Sequence, residues 1–374
     1  MLKMSSRDKL QALVALSTIP TVGGLRFRHL MKLVKHPAEI FELSPAKIKT
    51  TGRIGQKAID SILGFDDWNR VDELISAAKE SAVHLVSIFD ENYPERLRQI
   101  DDPPFLLWVR GDVAVLNQPG IAVVGTRRPS TYGGRMARHF TEDLASAGLV
   151  VFSGLAYGVD TTAHKVSVET GGKTVAVLGS SVDWIYPSTN KPLVEQILKT
   201  GGAVISEYPL GTKPEPGHFP VRNRIISGLS LGVLVVETGL KGGSRITART
   251  ALDQNREVFI VPHAVDSETG IGCNDLIKRG LGKLVQNTAD IFDELEGYSL
   301  ADKGGEKEDS LVKTPPEDSF QYQIWQALET GEIHIDSLAI TLQTTTSKLL
   351  PALLEMEFSG YISQRPGKYF QRQK

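Results

Sequence analysis

The sequence predicts an α/β fold: a Rossmann-like, doubly wound parallel sheet, preceded by a small N-terminal helical domain and followed by a C-terminal winged-helix-like domain. Three observations carry this. Short apolar runs, "IAVVG" from 121, "LVVFSG" from 149, "TVAVLG" from 174, "AVISE" from 203, "GVLVVE" from 232 and "EVFIVP" from 257, alternate with amphipathic stretches such as "GGRMARHFTEDLASAG". Near-continuous Val/Ile/Leu strands spaced by helices form a parallel sheet covered on both faces. A stretch rich in charge, Gly and Pro, "YSLADKGGEKEDSLVKTPPED", then separates a short C-terminal block and reads as a flexible linker. Ahead of the strands, "IPTVGGLRFRHLMKLV" and "TGRIGQKAIDSIL" each join a Gly-containing turn to an amphipathic helix. The expected division is residues 1–80, 81–297, 298–318 and 319–374.

Composition narrows the function classes. The chain of 374 residues is 41% apolar and 23% charged, ordinary for a globular protein. No stretch approaches the roughly 20 apolar residues of a membrane span, so no membrane partner is expected, and the N-terminus lacks a convincing small-residue cleavage site, so no signal peptide is expected. The single Cys273 excludes an intrachain disulfide and predicts a cytoplasmic protein. The eight histidines show no paired metal-ligand spacing. Net charge is −2, so a polyanion must meet a local cationic cluster. Residues 1–80 carry 13 Lys/Arg against 9 Asp/Glu, residues 81–297 carry 21 against 24, and residues 319–374 carry 5 against 5.

The N-terminal pair of turns resembles helix-hairpin-helix or sterile-alpha-motif-like modules. Its positive balance suits phosphate contact, and a helical protein-contact domain fits equally. Parallel sheets bind ligands at the carboxyl ends of their strands. After the first strand comes "GTRRPSTYGG": Gly125 allows a tight turn, Thr126 follows, and the amides lead into a helix, an anion-binding arrangement. Arg127 stands where G-x-G-x-x-G needs glycine, and the second strand ends in Ser153-Gly154 with no acid for a ribose, so no dinucleotide cofactor is expected. Arg127 and Arg128 supply charge instead. In "SGLAYGVDTTAH", Asp160 and His164 read as an N-cap aspartate and a packed histidine. "GGKT" at 171–174 lacks the P-loop's upstream glycine and precedes a strand, which leaves Lys173 as a cation at the sheet's edge.

The loop "YPLGTKPEPGHFP" offers Lys213 and Phe219, a cation and an aromatic suited to a backbone-tracking groove with a base platform. Phe219 reads equally well as a staple for the next helix. That helix opens with Arg222, Asn223 and Arg224 in "FPVRNRIISG". Residues two apart point about 200° from each other. Arg222, nearer the face of Ile225 and Ile226, is expected inside with Glu207 or Glu237, and Arg224 outside toward phosphate; a later helix start would exchange the two. In "TGLKGGSRITART", Gly243 lets a ligand approach and Ser244 looks like a helix cap. Several anion-friendly strand ends exceed what one mononucleotide needs, and they suit an extended polyanion.

Residues 319–374 read as helices at 320–330, 335–342 and 345–358, with Pro351 a possible kink, then a strand, a Pro-Gly turn and a strand. A duplex reader needs cations on its third helix. This one has Lys348 beside Glu355 and Glu357, so a protein-contact or dimer-supporting role is expected.

The runs "IAVVGTRRPSTYG", "VVFSGLAYGVDTTAH", "GGKTVAVLGSSVDWIYPSTN", "ISEYP", "FPVRNRIISGLS" and "GGSRITA", in order over roughly residues 90 to 290, resemble the DNA-processing protein A (DprA/Smf) family. The resemblance implies an extended Rossmann-like core that binds single-stranded DNA, forms homodimers and loads the RecA recombinase during natural transformation, without catalysis. It implies DNA contact for Gly125, Thr126 and Arg127, for Lys173, for Phe219, Arg222, Asn223 and Arg224, and for Gly243 and Ser244, with Thr247 matching the same second glycine turn. Departures are His263 where Gly is usual, Gly242 where Ser is usual and Arg245 where an apolar residue is usual. Two other functions compete on the same sheet. A nucleoside-monophosphate phosphoribohydrolase needs a glutamate after its glycine turn, and here Arg245, Ile246, Thr247, Ala248 and Arg249 follow. A nucleotide-sensing regulator would bind mononucleotides.

Overall fold

The computed structural model describes residues 6–295, 315–316, 319–359, 361–365 and 368–372. The chain divides into two compact units, Met1–Ala301 and Asp302–Lys374. Most of the expected linker, 298–318, lies outside the described residues.

The first unit opens with helices α1 (Ser6–Thr18), α2 (Gly24–Met31), α3 (Pro45–Lys49), α4 (Gln56–Leu63) and α5 (Trp68–Glu80). Their apolar faces do not close a core alone. Leu13, Leu16, Phe27 and Leu74 share one cluster with Phe105, Trp108 and Val204 of the sheet region, so this block folds against the sheet. Arg28 adds a hydrogen bond from Nη2 to the carbonyl of Ile100 at 2.9 Å.

Strands β1 (Val83–Ser87) and β2 (Leu106–Gly111), with the short helix α6 (Glu95–Arg98) between them, lead into the expected alternation. It runs β3 (Gly120–Val124), α7 (Thr131–Ser146), β4 (Val150–Ser153), α8 (Val159–Glu169), β5 (Thr174–Val177), α9 (Lys191–Lys199), β6 (Ala203–Ser206), α10 (His218–Leu229), β7 (Gly232–Val235), α11 (Gly243–Asp253), β8 (Glu257–Ile260), α12 (Ile271–Lys278), β9 (Lys283–Leu284) and α13 (Ala289–Glu294). The nine-stranded sheet has the order β1-β2-β6-β5-β4-β3-β7-β8-β9. From β6 to β9 every pairing is parallel, and the central strands are buried on both faces. The sheet is nevertheless mixed. β2 pairs antiparallel with β6, and β1 antiparallel with β2, an edge extension absent from the expectation.

The second unit comprises α14 (Phe320–Ala327), a 3-10 turn at 328–330, β10 (Ile333–His334), α15 (Ile335–Thr341), α16 (Thr346–Phe358), β11 (Ile362–Arg365) and β12 (Tyr369–Arg372). Its strands order as β10-β12-β11, and Ile324, Leu338, Leu349, Leu353, Met356 and Phe370 close the core. Three helices and a small wing make a winged helix. α16 continues through Pro351. Among the described residues no helix is long and apolar enough to cross a membrane.

Candidate nucleic-acid interface

The strand order turns at β3, which has β4 on one side and β7 on the other. Ligands of open α/β sheets sit beyond the strand ends at such a point. The turn after β3 is fixed from within. Thr126 N donates to the carbonyl of Glu237 at 2.8 Å, and its own carbonyl accepts from Val159 N at 3.2 Å. Ser130 caps α7, its Oγ accepting from Gly133 N at 3.0 Å. Glu237, wholly buried at the end of β7, accepts from Ser130 N at 2.9 Å. A Cβ at Gly133 would collide with the Glu237 carboxylate. A carboxylate therefore holds the α7 N-terminus that the sequence pattern reserved for a phosphate, since a helix start favours any anion placed there. What the turn offers outward is Arg127 and Arg128, both exposed. Gly125 is packed so closely that a Cβ there would meet Val159.

The two arginines of α10 depart from expectation. Arg222 is buried; its Nη1 donates to the carbonyl of Gly154 at 2.7 Å and to that of Val177. Asp160 faces it electrostatically and accepts from Gly154 N at 3.1 Å. Burial pulls the Arg222 guanidinium down to about 10, against the attraction of Asp160. The same burial, offset by Arg222, pushes the Asp160 carboxyl up to about 6. His164 completes the cluster: burial, with Arg222 adding to it, takes its imidazole down to about 3. Thr174 Oγ1 donates to Val151 O, so it accepts from Nδ1–H of His164, which lies 2.7 Å away. The packed-histidine reading holds for His164, but Asp160 is no N-cap: Gly158 takes that position, and the Asp160 carboxylate accepts from Gly154 N and Ala156 N in the loop before α8 and faces Arg222.

Arg224 does not reach outward. Its Nη2 donates to Glu207 at 2.6 Å and its Nε to Asp102 at 3.1 Å, with the side chain 11% exposed. Burial acts to lower its pKa, but Glu207 and Asp102 outweigh it and hold the guanidinium above its ordinary value. Glu207 thus pairs with Arg224, not Arg222, and Glu237 with Ser130. The reason is geometric. α10 packs between the sheet's strand ends and α6, so directions 200° apart both meet protein. Asn223, between them, is half-buried.

The outward chemistry lies one turn earlier. Phe219 rests over Gly179, where a Cβ would come within 3.0 Å of the ring. The Arg127 guanidinium stands 5.6 Å from the Phe219 centroid, and the Tyr186 ring 5.9 Å from it. His218 stacks on Tyr208 at 4.1 Å and meets the Gly179 carbonyl at 3.1 Å. Lys213 Nζ lies 5.4 Å from the Trp184 ring centroid. Arg127, Phe219 and Tyr186 therefore form one aromatic–cationic ledge, and Lys213 with Trp184 forms a second such pair on the loop that carries Tyr186. Trp184 and Tyr186 were missed; two large aromatics in "DWIYP" within a strand-end loop, in a chain with 7% aromatics, were the available signal.

The remaining residues lie apart. Gly242, not Ser244, takes the cap position of α11. Gly243 is open to approach, and the buried Ser244 Oγ has no partner. Lys173 precedes β5, on the amino edge of the sheet, 3.8 Å from Asp112; a four-residue strand puts roughly 13 Å between it and the ledge. Arg245 adds no free cation, because Asp275 binds it at 2.7 Å. His263 closes the β8 end, its Nε2 2.9 Å from the Val236 carbonyl. Among the described residues no cluster of His, Cys, Asp and Glu is arranged to hold a metal ion.

Residues 84–296 match the family described as DNA recombination-mediator protein A, and residues 309–368 match the DprA winged helix domain. Protein Smf of a Synechocystis strain is 31% identical over 96% of this chain and 98% of its own length. The X-ray structure of DNA processing protein A from Streptococcus pneumoniae superposes with a TM-score of 0.65 at 32% identity, covering 78% of this chain and 99% of that one. A Helicobacter pylori DNA processing protein A, whose structure is titled for its single-stranded DNA binding mode, gives a TM-score of 0.51 at 30% identity over 57% of this chain and 97% of that one.

Proposed function

The chain belongs to the DNA recombination-mediator protein A family, and from that premise we propose that it binds single-stranded DNA with little sequence preference. The observation that carries this reading is the ledge at the sheet's carboxyl edge, where the Arg127 guanidinium lies 5.6 Å from the Phe219 ring. An exposed cation beside a half-buried aromatic ring suits a phosphate and its unpaired base, and every base offers a π-face. The site residues proposed for direct contact are Arg127, Arg128, Lys213 and Phe219, with the open Gly243 turn as a further approach for backbone phosphate. Arg222 and Arg224 act as structural cations that hold α10, and through it Phe219, in place.

The proposed biological role follows the family resemblance: the protein coats incoming single strands in the cytoplasm, works as a homodimer and loads a RecA-type recombinase on the strand during transformation. The role is stoichiometric. The acid that a phosphoribohydrolase uses after its glycine turn has no counterpart here, and release of free base from a nucleotide would overturn this part.

The experiment is a binding titration with oligo-dT, duplex and mononucleotide. Oligo-dT is expected to bind most tightly. Arg127→Ala should weaken it about tenfold and make the slope of log affinity against log salt shallower by about 0.7, the share of one phosphate on a single strand. Unchanged affinity in that variant would remove Arg127 from the interface.

A further inference from the structure

The loop after β5 carries a second aromatic–cation pair. It is pinned by buried Val182 and Ile185, by Ser180 Oγ donating to the Trp184 carbonyl at 2.7 Å, and by Ser181 Oγ donating to the Thr212 carbonyl at 3.0 Å. With those residues turned inward, Trp184 and Tyr186 face outward, each 43% exposed, although side chains of this size are usually well buried. The neighbouring loop brings Lys213 to 5.4 Å from the indole. Gly211 N donates to both carboxylate oxygens of Asp183, the residue before Trp184, at 3.1 Å, which ties the loops together. Trp184 and Tyr186 are at most about 7 Å apart along the chain, and Tyr186 already meets Phe219. The pair Lys213–Trp184 therefore adjoins, through the chain, the ledge of Arg127, Phe219 and Tyr186.

We propose that Trp184, with Lys213 at its face, is a second stacking platform for an unpaired base, so that the ledge holds at least two bases of one strand. This rests on the single-strand reading above. The occupant is an unpaired base because a duplex keeps its base faces covered. The cations beside the rings supply the charge complement to the strand's phosphates.

The test measures binding of wild type, Trp184→Ala, Trp184→Phe and Lys213→Ala to oligo-dT and to an abasic oligonucleotide of equal length over a salt series. Trp184→Ala is expected to bind oligo-dT about 5- to 100-fold more weakly, with the salt slope unchanged and abasic affinity equal to wild type. Trp184→Phe restores most of the loss, because a ring face remains. Lys213→Ala makes the salt slope shallower by about 0.7. Wild type and Trp184→Ala that bind oligo-dT equally overturn the platform alone. So does a Trp184→Ala defect that is the same on abasic DNA. Failure of wild type to bind any oligonucleotide overturns the single-strand reading and the platform with it.

Discussion

At the residue scale, "FPVRNRIISG" shows how two identical side chains acquire different tasks from their neighbours. Helix geometry separates Arg222 from Arg224, and that much was legible in the spacing. Their partners were not, because Gly154, Val177 and Asp102 come from strands and loops remote in sequence. The cluster of Arg222, Asp160 and His164 makes stability depend on pH. Folding takes His164 from an ordinary pKa of 6.5 to about 3. Below pH 6.5 the unfolded chain binds a proton that the folded state refuses, so this contribution is lost as pH falls. Asp160, raised from 3.8 to about 6, has the opposite sign between those values, so comparing wild type with a His164 variant isolates the histidine term. His164→Gln keeps an amide near Thr174 and cannot titrate. Between pH 7 and pH 5, the stability of this variant relative to wild type should rise by about 2 kcal/mol. Urea unfolding at the two pH values measures it, and parallel pH profiles for the two proteins would show that His164 is not held neutral by the fold.

At the scale of elements, the six apolar runs were legible because a strand buried on both faces needs no polar alternation. β1 and β2 were not. "VHLVS" places His84 at an exposed sheet edge, and "LLWVRG" reaches the sheet only by antiparallel pairing with β6, a long-range choice that local pattern does not encode. The start of α7 was half legible: the turn and Ser130 could be read, but the anion on the helix is Glu237, a residue from β7's end over a hundred positions away. That geometry sets opposite signs for two neighbouring glycines. Alanine normally favours a helix over glycine by about 0.5–1 kcal/mol. Gly134→Ala, with nothing within 4 Å of a new Cβ, should stabilise by about that amount. Gly133→Ala pushes its methyl into the Glu237 carboxylate and should destabilise by about 1–3 kcal/mol. Thermal unfolding of the two variants decides it; two shifts of the same sign would mean that Glu237 is not seated on α7.

For the whole molecule, the net charge of −2 means that any grip on a polyanion is local. The exposed cations Arg127, Arg128 and Lys213 all lie in the unit Met1–Ala301. The second unit presents a different surface: on α16, Lys348 accompanies Glu355 and Glu357, and Glu355 accepts from Gln321 at 3.2 Å. A helix carrying two carboxylates near its C-terminus is a poor reader of phosphates, since helix ends of that polarity favour cations. Strand binding should therefore belong to the first unit. With three cations engaging phosphates of a single strand at about 0.7 each, the logarithmic salt slope should be about −2. A fragment of residues 1–301, which contains the sheet and the helices packed against it, should bind oligo-dT within about twofold of the full chain and with the same slope. A shallower slope and a tenfold loss in the fragment would place phosphate contacts in the winged helix.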